Sequence, residues 1–170
     1  MVSIMAVTDL IRYNLDVRES YLEALAKLPW AEVVKPKGLS FESARDVFLH
    51  LTLVEDRWIN YILQGRYSQW KDPDFEAYKD IDALRDYVNS TRKGTERFLQ
   101  NLKPEGWGQR ITIPWGDKPD TQITMETALT HMVVEDMIHY GELSAMLWQM
   151  DREAPYLAFW RYKHNSESQS

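Results

Sequence analysis

The chain has 170 residues, of which 44% are hydrophobic, and a formal net charge of -6, with no cysteine. These values are typical of one globular domain with a core of ordinary size. The absence of cysteine excludes disulfides, zinc–thiolate sites and cysteine nucleophiles. The acidic balance, with no basic patch to offset it, argues against general binding of nucleic acid.

Two amphipathic segments occupy the first part of the chain, with apolar residues at intervals of three and four. The first covers residues 7–28 and stops at Pro29, which a helix interior does not accommodate. The second begins near Ser40 or Ser43, either of which can cap its first turn, and stops before Gly65. We predict a helix over each segment, with His50 on or beside the apolar stripe of the second.

Two further helices are predicted after a polar, aromatic connection of residues 66–80. The third begins near Asp80 and ends before Pro104. The fourth begins near Thr124, or at Thr121, and continues to about residue 150. Between them, "QRITI" and "TQIT" alternate well enough to predict a short β-hairpin. The polar ending of residues 164–170 is predicted to be a disordered tail.

These elements describe an all-α domain. We predict a four-helix bundle over residues 1–163, with a long connection between helices 2 and 3 and the hairpin between helices 3 and 4. The length of that connection leaves the topology open between simple up-down-up-down and a crossover.

The stretch "THMVVEDMIHYGEL" places three polar residues, His131, Glu135 and His139, at every fourth position of an apolar helix. Glu135 and His139 can reach one metal ion from a single helix, and His50, central in another helix, is the candidate third ligand. Asp136 also projects toward the apolar side and could supply the carboxylate instead of Glu135. Alternatively, Glu135 and His139 form an ordinary ion pair near the surface.

The types of ligand restrict which metals can bind but do not identify a single metal. Two imidazoles and a carboxylate bind Zn, Ni, Fe, Mn or Co, and three protein ligands leave positions open, as in catalytic sites. His131 lies two turns from His139 and nearer the edge of the apolar stripe. We interpret it as lining the pocket or supporting a ligand.

The sequence resembles the DinB/YfiT-like superfamily of metalloenzymes in three motifs that cover nearly the whole chain. The first helix contains "IRYNLD". The second has His50 followed by an acidic residue, Glu55 or Asp56, and by Trp58. The fourth ends in "HYGEL", which begins at His139.

The resemblance implies that His50, position 135 and His139 hold a divalent metal ion. Position 135 is Glu135 rather than the usual histidine, which is similar to the mycothiol-dependent maleylpyruvate isomerase branch. The implied activity is transfer or use of a low-molecular-weight thiol, by an S-transferase or a thiol-dependent isomerase. Zinc or nickel is the first expectation for the metal, with a homodimer and a small-molecule substrate as partners. His131 and Asp136 would then orient ligands or move a proton.

Two other functions fit the same residues. One is a metal-dependent hydrolase, and the other is a non-catalytic bundle that binds a small molecule or a partner. The N-terminus lacks the pattern of a signal peptide, and no apolar run approaches the roughly 20 residues that span a bilayer. We therefore expect a cytoplasmic protein that uses neither membrane nor nucleic acid.

Overall fold

The computed structural model describes residues 4–115 and 121–167. Its α-helices are α1 (Ile4–Ala26), α2 (Trp30–Val33), α3 (Ala44–Glu55), α4 (Ile81–Asn101), α5 (Met125–Gln149) and α6 (Phe159–Glu167). Helix α3 continues as a π-helix, Asp56–Ile62, and 3-10 turns cover Tyr67–Gln69, Phe75–Ala77 and Pro104–Gly106. The predicted all-α architecture is confirmed, with α1, α3, α4 and α5 as its long helices. Within the described ranges, no helix has both the length and the apolar character needed to cross a membrane.

Side-chain caps begin three of the long helices. Ser43 before α3, Asp80 before α4 and Thr124 before α5 each accept a hydrogen bond from the backbone N–H three residues later. Each cap satisfies a donor that the first turn of a helix would otherwise leave without a partner. After the π-helix, Gly65 adopts a φ of 67°, a left-handed conformation that glycine reaches without steric cost. Local chemistry therefore accounts for these boundaries.

The predicted hairpin is present as two short strands, β1 (Arg110–Thr112) and β2 (Gln122–Thr124). They pair antiparallel with Ile111 opposite Ile123. Residues 116–120, between the strands, lie outside the described residues. Since β2 leads directly into the capped start of α5, the hairpin fixes where the chain enters that helix.

Pairs of side-chain contacts between neighbouring helices show whether the two helices run parallel or antiparallel. The pairs are Asn14–Asp136 and Tyr21–Ser144 for α1 with α5, Asp16–Arg92 and Glu19–Arg85 for α1 with α4, and His50–His139 and Trp58–His131 for α3 with α5. Helix α1 is therefore parallel to α5 and antiparallel to α4, while α3 is antiparallel to α5. The topology is up-down-down-up, so the long connection between α3 and α4 is a crossover.

The bundle core contains a buried polar layer to which every long helix contributes at least one residue. Arg18 of α1 binds Glu55 of α3, and its Nη2 lies 2.9 Å from Oδ1 of Asp136 of α5. Thr95 of α4 donates a hydrogen bond to Glu55. The apolar core divides into two clusters, one toward each end of the bundle. The layer lies between them and ties the four helices to one another.

Helix α6 packs on α1. The rings of Phe159 and Tyr162 lie 5.2 and 5.5 Å from the ring of Tyr13, and Nζ of Lys163 lies 2.8 Å from Oδ2 of Asp9. The helix reaches Glu167, whereas the sequence predicts disorder from residue 164. The difference arises because aromatic side chains just before the polar ending dock on α1. Residues 168–170 of the predicted tail lie outside the described residues.

Candidate metal centre

His50 on α3 and Glu135 and His139 on α5 bring their ligand atoms together where the two helices face each other, and this seam between α3 and α5 is called the groove below. One ligand atom from each residue lies within 4.8 Å of those of the other two. The imidazole rings of His50 and His139 are 4.7 Å apart, and Nε2 of His139 lies 3.5 Å from Oε2 of Glu135. Helical spacing aligns the pair on α5, and the packing of α3 against α5 adds His50.

The protonation state of His50 suits a ligand. Burial is the main cause that lowers its pKa to about 4, and the nearby charges of His139 and Arg57 lower it further, against the opposing effect of Glu135. At neutral pH the ring of His50 is therefore uncharged. A neutral imidazole has a nitrogen lone pair free to coordinate a metal ion.

Glu142 orients His139 from the other side of its ring. Its Oε2 lies 2.5 Å from Nδ1 of His139. Burial acts to raise the pKa of Glu142, but hydrogen bonds from Ser40 and His139 outweigh it, and the pKa is lowered overall. An ionised Glu142 accepts a hydrogen bond from Nδ1–H of His139, so the lone pair of Nε2 is on the side of the ring that faces Glu135. This carboxylate–histidine arrangement is typical of metal sites, where it sets the tautomer and the ring orientation.

The donor set fits a divalent ion. Ligand bonds of about 2.0 to 2.2 Å place two tetrahedral ligands roughly 3.5 Å apart, so small side-chain rotations would close the cluster around one ion. Phe41, before α3, covers one side, with its ring 4.4 Å from that of His50 and 5.5 Å from that of His139. An apolar wall of this kind limits the access of water and strengthens electrostatic interactions in the cluster.

Asp136 lies away from the cluster, in the polar layer of the core. It accepts hydrogen bonds of 2.9 Å from Asn14 and from Arg18, and burial raises its pKa to about 6 despite the positive charge of Arg18. Successive residues of a helix point about 100° apart. With Asp136 turned into the bundle, Glu135 is left to face the groove. These contacts give Asp136 a structural role.

His131 lies at the far end of the same groove. Its side chain is exposed, and its ring lies 5.7 Å from that of Trp58. Eight residues of helix separate it from His139, which corresponds to roughly 12 Å along the axis. His131 therefore borders the groove without joining the cluster of His50, Glu135 and His139.

Arg57 is a groove residue that the sequence analysis did not single out. Its guanidinium carbon lies 4.8 Å from the centre of the Trp115 ring. It follows His50 by seven residues, or two helical turns. This spacing, which places both residues on one face of a helix, was the signal from which Arg57 could have been predicted. Glu142 follows His139 by one helical turn. It was not singled out because glutamate is common on the turns of any helix.

A cavity of about 870 Å³ lies elsewhere, between the π-helix and the second half of α4. Asp56, Asn60 and Gly94 belong to its lining, and none of the three cluster residues does. A Cβ at Gly94 would clash with the Asn60 amide, so this glycine allows α4 to approach the π-helix closely. The cavity and the cluster are separate features of the bundle.

A family model described as the DinB family matches residues 4–169. This match covers all the long helices and the candidate metal centre. Among curated proteins, no sequence matches this chain.

Proposed function

Because this chain belongs to the DinB family, we propose that it is a divalent-metal-dependent enzyme that transfers or uses a low-molecular-weight thiol. One observation supports the proposal most directly. His50, Glu135 and His139 converge on one point, with Glu142 holding the ring of His139. Such a support would be unnecessary for a simple surface ion pair. We propose these three residues as the ligands, with zinc or nickel as the first choice of metal.

Each residue around the ion would have a distinct task. A bound divalent ion would lower the pKa of a thiol and keep it as a thiolate. His50 and His139 provide neutral nitrogen donors, and Glu135 adds one negative charge. Glu142 keeps Nε2 of His139 aimed at the ion, and Phe41 covers one side of the site. The absence of protein cysteine means that the thiol would come from a cosubstrate.

The decisive experiment compares the metal content of the native protein with that of three variants. We expect about one divalent ion per chain in the native protein, and its loss in His50→Ala and His139→Ala. His131→Ala is the matched control and should retain the ion, because His131 lies two turns from His139. Absence of metal in the native protein, together with no thermal shift on adding Zn or Ni, would contradict the proposal.

Thiol chemistry requires a separate assay. Metal-loaded protein should transfer thiols to electrophilic acceptors, or isomerise a substrate in a thiol-dependent manner, and the activity should disappear in His139→Ala. Turnover of ester or amide substrates without any thiol would instead assign the site to a hydrolase. Full ligand binding by a chelated His50→Ala protein would indicate a non-catalytic bundle.

We further propose that the protein is a homodimer that pairs through α5. The outer side of this helix carries three apolar residues, Val134, Ile138 and Trp148, which are 50, 56 and 65% exposed to solvent. Their spacing places them on one face of the helix. Gly141 lies on the same face, and a Cβ there would meet only open space within the chain. The fold of the single chain therefore does not require glycine at this position. Close approach of a second helix would require it, because a larger side chain would keep the two backbones apart.

A further inference from the structure

The cavity of about 870 Å³ between the π-helix and the second half of α4 is separate from the candidate metal centre. Three segments of the chain form its walls. They are the π-helix with the turn that follows it, one face of α4, and the turn after α4. Its volume lies within the range of pockets that bind small molecules. The cavity is therefore large enough for a ligand of its own.

The lining of this cavity contains four basic residues, Arg66, Lys93, Arg97 and Lys103. All four side chains are exposed, so a ligand that enters from solvent can reach them. Within residues 4–115 and 121–167, none of the four forms an ion pair with a carboxylate. Lys93 and Arg97 are one turn apart on α4, which allows both to contact the same group. The cavity therefore concentrates positive charge that the fold does not neutralise.

Other basic residues of α4 have carboxylate partners. Arg85 and Arg92 lie 2.6 and 2.9 Å from carboxylate oxygens of α1, and these ion pairs link the two helices. Lys93 and Arg97 lie on the face of α4 that lines the cavity, where no carboxylate of the described residues pairs with them. The contrast within one helix shows that these two cations do not serve the packing of the bundle.

Neutral groups hold Arg66 in place at the end of the π-helix. Its Nη2 donates hydrogen bonds of 2.6 Å to the carbonyl oxygen of Asn60 and 3.0 Å to Oε1 of Gln64. Its guanidinium carbon lies 5.7 Å from the centre of the Tyr61 ring. These partners orient the guanidinium without cancelling its charge. Since a guanidinium has five N–H donors, others remain available to an anion.

The two carboxylates of the lining, Asp56 and Glu105, do not balance the four cations. The oxygens of Asp56 already accept hydrogen bonds, of 2.8 Å from Asn60 and 3.3 Å from Tyr87. The lining therefore has an excess of two positive charges in a chain of net charge -6. An anion with two negative charges offsets this excess, whereas a single carboxylate offsets half of it.

The remaining part of the lining is partly apolar. Phe98 and Leu102 are partly buried and pack against one of the two core clusters, and Met125 is 5% exposed. An apolar group of a ligand would lose contact with water against these side chains. The cavity therefore combines a cationic region with an apolar wall.

We propose that this cavity is a second ligand site that binds a small organic phosphate. The phosphate group lies among the four cations, and the organic part lies against Phe98 and Leu102. A phosphate monoester has close to two negative charges at neutral pH, and guanidinium groups bind phosphate through paired hydrogen bonds. The site goes beyond the proposed function and does not depend on it, because His50, Glu135 and His139 do not belong to the lining.

Titration calorimetry with phenyl phosphate, at about pH 8 and low salt, tests the proposal on the protein as purified. The probe is then a dianion, because the second pKa of a phosphate monoester is about 6, and low salt limits the screening of exposed charges. We expect phenyl phosphate to bind about five- to tenfold more tightly than phenyl sulfate, which has a single negative charge. It should also bind more tightly than inorganic phosphate, which lacks the apolar ring.

Lys93→Gln and Arg97→Gln should each weaken the binding of phenyl phosphate about five- to tenfold, because each removes one charged contact. Both positions are exposed, so the variants should unfold at the native temperature. Lys27→Gln and Arg152→Gln are the matched controls. They remove exposed cations that follow the ends of α1 and α5, whereas the cavity adjoins the start of α5. Both controls should bind phenyl phosphate as the native protein does.

His139→Ala distinguishes this cavity from the candidate metal centre, where a bound ion would also attract phosphate. The variant should keep the native affinity for phenyl phosphate. Loss of binding in His139→Ala would overturn the inference. So would absence of binding to native protein at millimolar probe, equal affinity for phenyl sulfate or inorganic phosphate, or the same affinity in Lys93→Gln and Arg97→Gln as in the controls. Because metal content is measured separately, any of these results leaves the proposed metal-dependent function standing.

Discussion

The Nδ1 atom of His139 lies 2.5 Å from Oε2 of Glu142, one turn further along α5. This contact leaves the opposite nitrogen, Nε2, facing Glu135 and the groove. A histidine that must present one nitrogen to an ion benefits from an acceptor on the other, since the acceptor sets the tautomer and raises the basicity of the ring. The pair therefore links a surface glutamate to the chemistry proposed for the cluster.

Glu142→Gln should weaken metal binding roughly ten- to a hundredfold without removing the site, because the ligands remain but His139 loses its charged support. Competition with a chromophoric chelator measures this affinity. Glu105→Gln, at an exposed position in the turn after α4, should bind metal as the native protein does. An unchanged affinity in Glu142→Gln would mean that Glu142 does not support the site.

Arg18→Met should destabilise the fold by about 3 to 5 kcal/mol, because it leaves the buried carboxylates of Glu55 and Asp136 without their cation. Urea unfolding measures the loss. Arg12→Met is the control on the same helix: the nitrogen of Arg12 lies 3.8 Å from Asp9, and its side chain is 48% exposed. That variant should lose less than about 1 kcal/mol. Similar losses in both variants would argue against a structural role for the polar layer.

Asp56→Asn should change how stability depends on pH. Burial raises the pKa of Asp56 above 3.8, outweighing hydrogen bonds from Asn60 and Tyr87. The folded state therefore keeps the proton to higher pH than the unfolded chain. The resulting stabilisation is present below pH 3.8 and is lost as the pH rises through the folded pKa.

Native protein should consequently lose stability relative to Asp56→Asn as the pH increases from about 3.8. Urea titrations of both proteins at a series of pH values give the difference in free energy of unfolding. Asp86→Asn, at an exposed position of α4, serves as the control and should follow the native profile. A constant difference between native protein and Asp56→Asn at all pH values would contradict the assignment.

Ile138→Glu should convert the proposed homodimer to a monomer, because it places a charge in the centre of the exposed apolar face of α5. Light scattering coupled to size-exclusion chromatography measures the mass in solution. Tyr156→Glu changes another exposed residue, 84% accessible, outside that helix, and should leave the dimer intact. A native protein that is already monomeric, or a dimeric Ile138→Glu, would show that this face is not the interface.

Much of the secondary structure could be predicted because its causes are local. Ser43, Asp80 and Thr124 are residues that cap helices wherever they precede an amphipathic segment, and Gly65 ends one by its conformational freedom. The spacing of Glu135 and His139 similarly depends only on the geometry of one helix. Such features can be predicted without knowing which distant segments of the chain pack against the helix.

The sequence by itself determined that four amphipathic helices form and that His50, Glu135 and His139 are candidate ligands. Only the tertiary structure decided the up-down-down-up topology and which carboxylate lies beside His50 and His139, where Glu135 is found and Asp136 is not. Both carboxylates are 100° apart on one helix, so the rotation of α5 selects between them. That rotation depends on Arg18, which binds Asp136 from another helix. Contacts between distant segments, which also position Arg57 beside Trp115, have no local signal in the chain.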